Sequence, residues 1–283
     1  MSDQTDAQRS ALPSSRSISL SGRRVLVTGA GGGIGFGIAS VIASLGASVA
    51  VNDISADAAE RAAADIAGKG GTAVAVPGDV TDAAGGSQIV EGAAAALGGL
   101  DGLVNNAGIP GTRDFEDITR ESWDRVISLN LSAPFHLSVL AAPHLRRSGA
   151  GRIVNIASIA ATRVSVLGGA SYTASKSGLV GLTRHLSMEL ARDGITVNAV
   201  LPGVTVTPLV RAHTTPSKLD EIEAGVPVGR AGSPEDPGWL AAFLLSEQSS
   251  YVSGAAIEVD GALTALPGNF EAYLSARSQE STA

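Results

Sequence analysis

A tyrosine and a lysine four residues apart, Tyr172 and Lys176, are well suited to acid–base chemistry. On a helix this spacing places both side chains on one face, about 5–6 Å apart at their Cβ atoms. A free phenol, with a pKa of about 10, is a poor base at neutral pH, and a nearby ammonium lowers that pKa. Ser158, which follows an apolar run, could hold a carbonyl oxygen against the same phenol. The three side chains predict proton transfer at a C–O(H) centre, although a tyrosine and a lysine at this spacing also occur by chance on ordinary helices.

The composition limits what else the chain can be. Its 283 residues, 44% of them hydrophobic, suit one large α/β domain or two small ones. No stretch reaches the roughly 18 apolar residues of a membrane span, and residues 1–19 lack the apolar core of a signal peptide. The chain has no cysteine, its four histidines are scattered, and its net charge is −7 without a basic cluster. We therefore expect a soluble cytoplasmic protein with no metal, no nucleic acid and no membrane partner.

Buried-strand patterns alternate with helical patterns along residues 20–266, which we expect to form one domain. Residues 1–19 read as a flexible arm, and residues 267–283 as a tail whose Phe270, Tyr273 and Leu274 have helical spacing. That tail is either docked or frayed. The expected strands cover residues 24–27, 48–52, 72–76, 100–104, 153–156, 195–201 and 256–259. This alternation predicts a Rossmann-type α/β fold with a doubly wound, seven-stranded parallel sheet.

Several helix boundaries are marked by cap residues and prolines. Expected N-caps are Ser55, Thr119, Ser217 and Ser233. Within the long helix that starts at Thr119, Pro134 is expected to mark a kink and Pro143 an end.

The turn after the first strand is rich in glycine, from Thr28 to Gly35. Such a turn lets the backbone approach a pyrophosphate at a helix N-terminus, and its place between a strand and a helix strengthens the assignment. Asp53 follows the second strand, where a carboxylate accepts from ribose hydroxyls and repels a 2′-phosphate. The alternative is a solvated turn aspartate. This pattern predicts NAD as the cofactor.

Five motifs in order resemble the short-chain dehydrogenase/reductase family, in its single-domain branch of about 250 residues. They are Thr28-Gly-x-x-x-Gly33-x-Gly35, Asn105-Asn106-Ala107-Gly108, Ser158, Tyr172-x-x-x-Lys176 and Pro202-Gly203. The resemblance implies that Ser158 positions the substrate oxygen and that Tyr172 is the acid/base. It implies that Lys176 binds the nicotinamide ribose and lowers the tyrosine pKa, and that Asn130 supports a proton relay toward the lysine. Ala157 stands where the family often has a second serine.

The resemblance also implies a set of cofactor contacts. Asp79 would meet the adenine ring, Asn106 and Gly108 would back the adenosine ribose, and Thr207 would contact the carboxamide. The expected cofactor-binding residues are Gly29, Gly33, Ile34, Gly35, Asp53, Asp79, Val80, Asn106, Gly108, Tyr172, Lys176, Pro202, Gly203, Thr205 and Thr207.

These observations predict an NAD-dependent oxidoreductase that interconverts a secondary alcohol and a ketone. The alternatives are an NADPH-dependent 3-oxoacyl-type ketoreductase, which Asp53 disfavours, and a non-catalytic NAD-binding sensor or scaffold, which the intact Ser158, Tyr172 and Lys176 disfavour. Small residues on the Tyr172 helix, namely Ser175, Gly178 and Gly181, should permit close approach of another helix. The resemblance implies a homotetramer that pairs through this helix and its neighbour, with a second contact at the seventh strand and Asp260-Gly261.

The substrate is expected to be a neutral, hydrophobic ketone or secondary alcohol. Two segments should wall its pocket, Ile159 to Gly169 and Pro208 to Val228, and the second should act as a lid. The apolar wall residues are Val164, Val166, Leu167, Leu209, Val210, Leu219 and Ile222. Inward-pointing basic residues would instead suit an acidic substrate, and the candidates are Arg113, Arg163, Arg211 and His213.

Overall fold

A computed structural model of the protein describes residues 18–165, 168–207, 210–211, 214–265 and 270. Most of the arm and most of the tail lie outside this part of the chain. Individual predicted residues outside it are Val166, Leu167, Pro208, Leu209, His213, Tyr273 and Leu274.

Seven short strands form one parallel sheet in the order β3-β2-β1-β4-β5-β6-β7. The strands are β1 Arg24–Val27, β2 Ser48–Val51, β3 Thr72–Ala75, β4 Gly102–Asn105, β5 Arg152–Ile156, β6 Thr196–Pro202 and β7 Ala256–Val259. This confirms the predicted fold class, with the bounds of β1 and β7 as predicted and those of the other five strands shifted by one or two residues. Because the strand order reverses at β1, the loops after β1 and β4 part and leave a crevice at their carboxyl ends.

Helices cover both faces of the sheet. They are α1 Gly33–Ser44, α2 Ala56–Gly68, α3 Ala83–Leu97, α4 Arg120–Ile127, α5 Ala133–Ser148, α6 Gly169–Glu189, α7 Pro216–Ala224 and α8 Glu235–Leu245. Helices α1, α2 and α8 bury apolar side chains on one face, and α3, α5 and α6 on the other. Strand residues alternate between the two cores, as Val25 and Val27 do with Leu26. The double-sided burial explains why the strands read as continuous apolar runs.

The long helix after Thr119 is interrupted by a π-helical segment, Ser128–Ser132. Thr119 caps α4 as predicted, because its hydroxyl accepts a backbone N–H at 3.2 Å. Pro134 is the second residue of α5, so the π-helical segment ends just before the position where the proline lacks an N–H. Pro143 lies inside α5, which continues to a left-handed Gly149. The prediction that Pro143 ends the helix was wrong, because burial of the apolar face of α5 outweighs the local preference.

Residues Arg120–Ser148 form, among the described residues, the one helical run long and apolar enough to span a membrane by length and composition. Its residues Leu137, Ala141 and Leu145 are fully buried in the core on the α3 side of the sheet. We therefore interpret the run as a core helix.

Two of the other three predicted caps differ from the structure. The Ser55 hydroxyl accepts a backbone N–H of α2 at 3.3 Å, as predicted. Helix α7 is capped by Thr215, not Ser217, because the proline that follows Thr215 fixes the helix start there. Helix α8 begins beyond Ser233, whose N–H donates to the Asp236 carboxylate at 2.7 Å. The carboxylate thus supplies the capping contact at this end.

Candidate active site

A cavity of about 700 Å³, the main cavity, opens at the crevice between the carboxyl ends of β1 and β4. Most of the predicted site residues line it: Gly29, Ile34, Gly35, Asp53, Asp79, Val80, Asn106, Gly108, Ser158, Tyr172, Lys176, Pro202, Gly203 and Thr207. Gly33, Asn130 and Thr205 do not line it. The Thr205 hydroxyl instead donates to Gly203 O at 3.4 Å, within its own turn.

The glycine-rich turn lies at one end of the main cavity and has no room for a side chain at Gly31 or Gly35. A Cβ on Gly35 would overlap Gly29 O, and one on Gly31 would lie 2.7 Å from Asp53 Oδ2. Helix α1 starts after Gly32 without a side-chain cap. Its first N–H groups are therefore available to an anion such as a pyrophosphate.

Asp53 is held at the end of β2 by two backbone donors. Its Oδ2 accepts from Gly31 N at 3.1 Å, and its Oδ1 accepts from Ser55 N at 3.0 Å. These bonds fix the carboxylate on the wall of the main cavity. The sequence reasoning missed its neighbour Asn52, which donates to Val76 O at 3.0 Å and ties β2 to the turn after β3. The sequence did offer a signal for this contact, because an amide residue directly precedes Asp53 at the end of β2.

Asp79 and Asn106 are each held by local hydrogen bonds. Asp79 Oδ1 accepts from the Thr81 hydroxyl at 2.7 Å and from Thr81 N at 2.8 Å. Asn106 Nδ2 donates to Thr28 O at 2.9 Å and to Gly29 O at 3.0 Å. The Asn106 amide therefore joins the turn after β4 to the glycine-rich turn. Thr81 also lines the main cavity, and sequence reasoning missed it.

Ser158 and Tyr172 meet where the main cavity joins a second cavity of about 600 Å³, the side cleft. Ser158 follows β5, and Tyr172 lies on the first turn of α6. Lys176 is one turn further along α6 and is buried. Its Nζ donates to Ile156 O at 2.8 Å and lies 5.7 Å from the centre of the Tyr172 ring. The structure thus brings the three predicted side chains together.

The electrostatics of Tyr172 differ from the expectation. Burial raises the pKa of the Tyr172 phenol, and the neighbouring Ser158 hydroxyl offsets this only in part. Burial also lowers the pKa of Lys176 to about 8, because the ammonium is removed from water. In this structure the lysine donates to a backbone carbonyl and not to the phenol, and desolvation decides the direction of the tyrosine pKa shift. The predicted direction was wrong because it counted charge and neglected desolvation.

Asn130 is fully buried in the π-helical segment Ser128–Ser132. Its Oδ1 accepts from Ile109 N at 3.0 Å, and its Nδ2 donates to Ile109 O at 2.9 Å and to Ser175 Oγ at 3.2 Å. A Cβ on Gly108 would lie within 3.5 Å of both Asn130 Oδ1 and Lys176 Nζ. The Asn130 amide therefore lies near the Lys176 ammonium, behind the residues that line the main cavity.

Two of the three small residues on α6 pack against other residues of the same chain. Ser175 is fully buried against Asn130, and a Cβ on Gly178 would lie 2.9 Å from Leu131 Cδ2. The prediction that these two are exposed for pairing with another chain was wrong, because α6 packs on the π-helical segment there. Gly181 is exposed, with open space beside it.

The side cleft has mostly apolar walls and one charged residue, Arg163. Its lining residues are Pro110, Ser158, Ile159, Ala160, Arg163, Val164, Ser165, Gly168, Tyr172, Gly203 and Val204. Of the predicted wall residues that the structure describes, Val164 lines the cleft, whereas Val210, Leu219 and Ile222 line neither cavity. Arg113 and Arg211 line neither cavity as well.

The fold and the site define a class of protein, the nicotinamide-dependent oxidoreductases with a doubly wound sheet. A family profile described as Enoyl-(Acyl carrier protein) reductase matches residues 29–264. Together with the relatives below, this match shows that the chain belongs to the short-chain dehydrogenase/reductase family. It is an oxidoreductase.

Two dehydrogenases are similar to this chain over nearly their whole length. The 2-(S)-hydroxypropyl-CoM dehydrogenase 3 of Xanthobacter autotrophicus is 38% identical and covers 86% of this chain and 96% of its own. The cyclohexanol dehydrogenase of an Acinetobacter species is 38% identical and covers 84% and 94%. Among solved structures, a 7 alpha-hydroxysteroid dehydrogenase complexed with NADH and 7-oxo glycochenodeoxycholic acid is 37% identical, with a TM-score of 0.81, and covers 86% and 95%.

Proposed function

We propose that this protein is an NAD-dependent dehydrogenase that interconverts a secondary alcohol and a ketone. The observation that carries the proposal is the position of Ser158 and Tyr172 on the shared wall of the main cavity and the side cleft. A cofactor in one cavity and a substrate in the other would meet at these two hydroxyl groups. The names of the relatives, which include dehydrogenases of hydroxypropyl-CoM and cyclohexanol, support the reaction class.

The main cavity fits a dinucleotide on the evidence of its own residues. Close packing in the glycine-rich turn leaves no room for a Cβ at Gly31 or Gly35, and the uncapped start of α1 leaves backbone N–H groups for phosphate oxygens. The predicted cofactor-binding residues would hold it, with Asp53 at the ribose and Asp79 at the adenine. A bound nicotinamide supplies or accepts the hydride.

Proton transfer is the task of the chain's own side chains. Ser158 would donate to the substrate oxygen and orient it, and Tyr172 would pass its phenolic proton to that oxygen during ketone reduction. Alcohol oxidation runs in reverse, with the phenolate as base. Lys176 would hold positive charge behind the phenol and bind the nicotinamide ribose. Asn130 would support a proton relay that ends at the lysine.

Asp53 is the basis for preferring NAD over NADP. Its carboxylate is fixed by Gly31 N and Ser55 N on the cavity wall, where a 2′-phosphate would meet like charge. No lysine or arginine follows it, since the next residues are Ile54 and Ser55.

The cofactor proposal is tested by steady-state kinetics with both cofactors. We expect kcat/KM with NADH to exceed that with NADPH by at least about tenfold, the factor of about 1.4 kcal/mol. Asp53→Ala should narrow the difference in kcat/KM between the two cofactors. Asp53→Asn, which removes the charge and keeps one of the two acceptor oxygens, serves as the matched variant. Comparable values for both cofactors in the unaltered enzyme would contradict the proposal and favour the ketoreductase alternative.

The substrate proposal follows the apolar walls of the side cleft. Ile159, Val164 and Val204 favour a hydrophobic body next to the reacting carbon. Neutrality of the whole substrate, expected from the sequence, is a separate question that depends on Arg163. A panel of ketones and secondary alcohols, followed by NADH absorbance, tests the activity. Binding of NADH without hydride transfer to any of them would favour the sensor alternative.

We further propose a cytoplasmic homotetramer. Exposed apolar side chains on neighbouring helices support helix pairing between copies, namely Phe135 and Val139 on α5 and Met188 on α6. The edge strand β7, with the turn at Asp260 and Gly261, would form the second contact.

A further inference from the structure

The side cleft contains one arginine, Arg163, that has no role in the proposed reaction. Arg163 lies five residues after Ser158, in the loop that leads to α6, and lines the cleft together with Ser158 and Tyr172. Among the described residues that line the cleft it is the single charged side chain. A charge on an otherwise apolar wall restricts which substrates bind there.

The Arg163 guanidinium is not neutralised by a carboxylate of the described chain. No described acid lies within ion-pair distance of it, and its Nη1 has a long hydrogen bond to Leu263 O, 3.5 Å. The nearby Glu258 accepts instead from the hydroxyls of Thr162 and Thr264, at 3.0 and 2.6 Å. Most of the guanidinium donors are therefore open to a ligand.

We propose that Arg163 determines substrate specificity by binding a carboxylate at the end of the substrate remote from the reacting carbon. The planar guanidinium matches a carboxylate in a two-point hydrogen bond, while Ile159, Val164 and Val204 contact the apolar body between the two ends. The substrate class is thus a hydrophobic keto acid or hydroxy acid. This replaces the expectation of a fully neutral substrate. It rests on the proposed function, since it requires the carbonyl oxygen to lie at Ser158 and Tyr172.

A matched pair of ketones tests the assignment. The probes are 4-acetylbenzoate and 4-acetylbenzamide, which have nearly the same shape and differ in charge. We expect kcat/KM of the NADH-dependent reduction to be higher for the acid by roughly ten- to a hundredfold, the range for hydrogen bonds to charged groups. Arg163→Gln should abolish this preference through KM of the acid and leave the amide unchanged, and Arg163→Lys should restore part of it.

Arg113→Gln is the matched control. Arg113 is an exposed arginine on the loop facing the start of α6, and it lines neither cavity. Its replacement removes the same charge and should keep the preference for the acid. Equal kcat/KM for the two probes, or a preference that survives Arg163→Gln, overturns the proposal.

A binding measurement separates this proposal from the proposed function. In the Tyr172→Phe variant loaded with NADH, the quenching of NADH fluorescence reports the dissociation constant of each probe without turnover. Weaker binding of 4-acetylbenzoate after Arg163→Gln supports the role of Arg163 even if no ketone is reduced. Reduction of both probes at equal rates, with equal binding, leaves the proposed function standing and rejects the carboxylate site.

Discussion

Tyr172 shows how burial and chemistry conflict at a single side chain. The phenol needs to alternate between its two protonation states, but burial favours the neutral form and raises its pKa. The hydrogen bond between the Ser158 hydroxyl and the phenol offsets this in part. The acid form therefore dominates at neutral pH, which suits ketone reduction.

Tyr172→Phe should lower turnover by about 10²–10⁴-fold, because the acid/base group is lost while the ring still packs. NADH binding, measured by fluorescence titration, should be retained. If the Tyr172→Phe variant kept a tenth of the activity, the role assigned to Tyr172 would be refuted.

The pH dependence of the unaltered enzyme should reflect the same side chain. The kcat/KM for alcohol oxidation should rise with pH above neutrality, because the raised pKa of the phenol delays formation of the phenolate.

Lys176 should make the stability of the cofactor-free protein depend on pH. Burial lowers its folded-state pKa to about 8 from the usual 10.5, so between these values the unfolded chain binds more protons. The free energy of unfolding should therefore gain a contribution that rises with pH from about 8 to about 10.5. We expect Lys176→Met to lose this contribution in urea titrations at several pH values. Parallel curves for both proteins would contradict the expectation.

At the scale of elements, helices α1 and α8 pack through glycine on the face opposite α6. A Cβ on Gly37 would overlap Pro234 O, and one on Gly238 would lie 3.1 Å from Val41 Cγ2. Because α1 also begins at the glycine-rich turn, this packing fixes where its N-terminus lies beside the main cavity. The contact therefore connects core packing to the proposed pyrophosphate site.

Gly37→Ala should destabilise the protein by about 1–3 kcal/mol, because the added methyl group overpacks this interface. Gly32→Ala is the matched control: Gly32 has an extended backbone, and nothing lies within 4 Å of an added Cβ. Its unfolding free energy should change by less than about 0.5 kcal/mol. Urea unfolding of the cofactor-free proteins measures the free energy of unfolding of both variants. Equal changes in the two variants would show that overpacking against Pro234 does not destabilise the protein.

At the scale of the whole molecule, the α5 and α6 surface is expected to pair with a second copy. Light scattering at micromolar concentration should give the mass of a tetramer. Val139→Asp, which places a charge in the paired surface, should lower that mass. Phe115→Asp alters a more exposed apolar residue that lies outside α5 and α6, shortly before α4, and should leave the mass unchanged. A monomer mass for the unaltered protein would rule out the tetramer.

The sequence by itself determined the seven-stranded parallel sheet and most of the cavity lining, whereas the order of the strands came from the structure. Local patterns suffice there: apolar runs alternate with helices, and glycine turns and Asp53 follow particular strands. The cap at Thr215, the continuation of α5 through Pro143 and the inward position of Ser175 depended on tertiary packing. So did the direction of the Tyr172 pKa, because desolvation depends on every neighbour of the phenol. Arg163 faces the side cleft for the same reason: its direction is set by the loop between Ser158 and α6, whose course no periodic pattern in the sequence encodes.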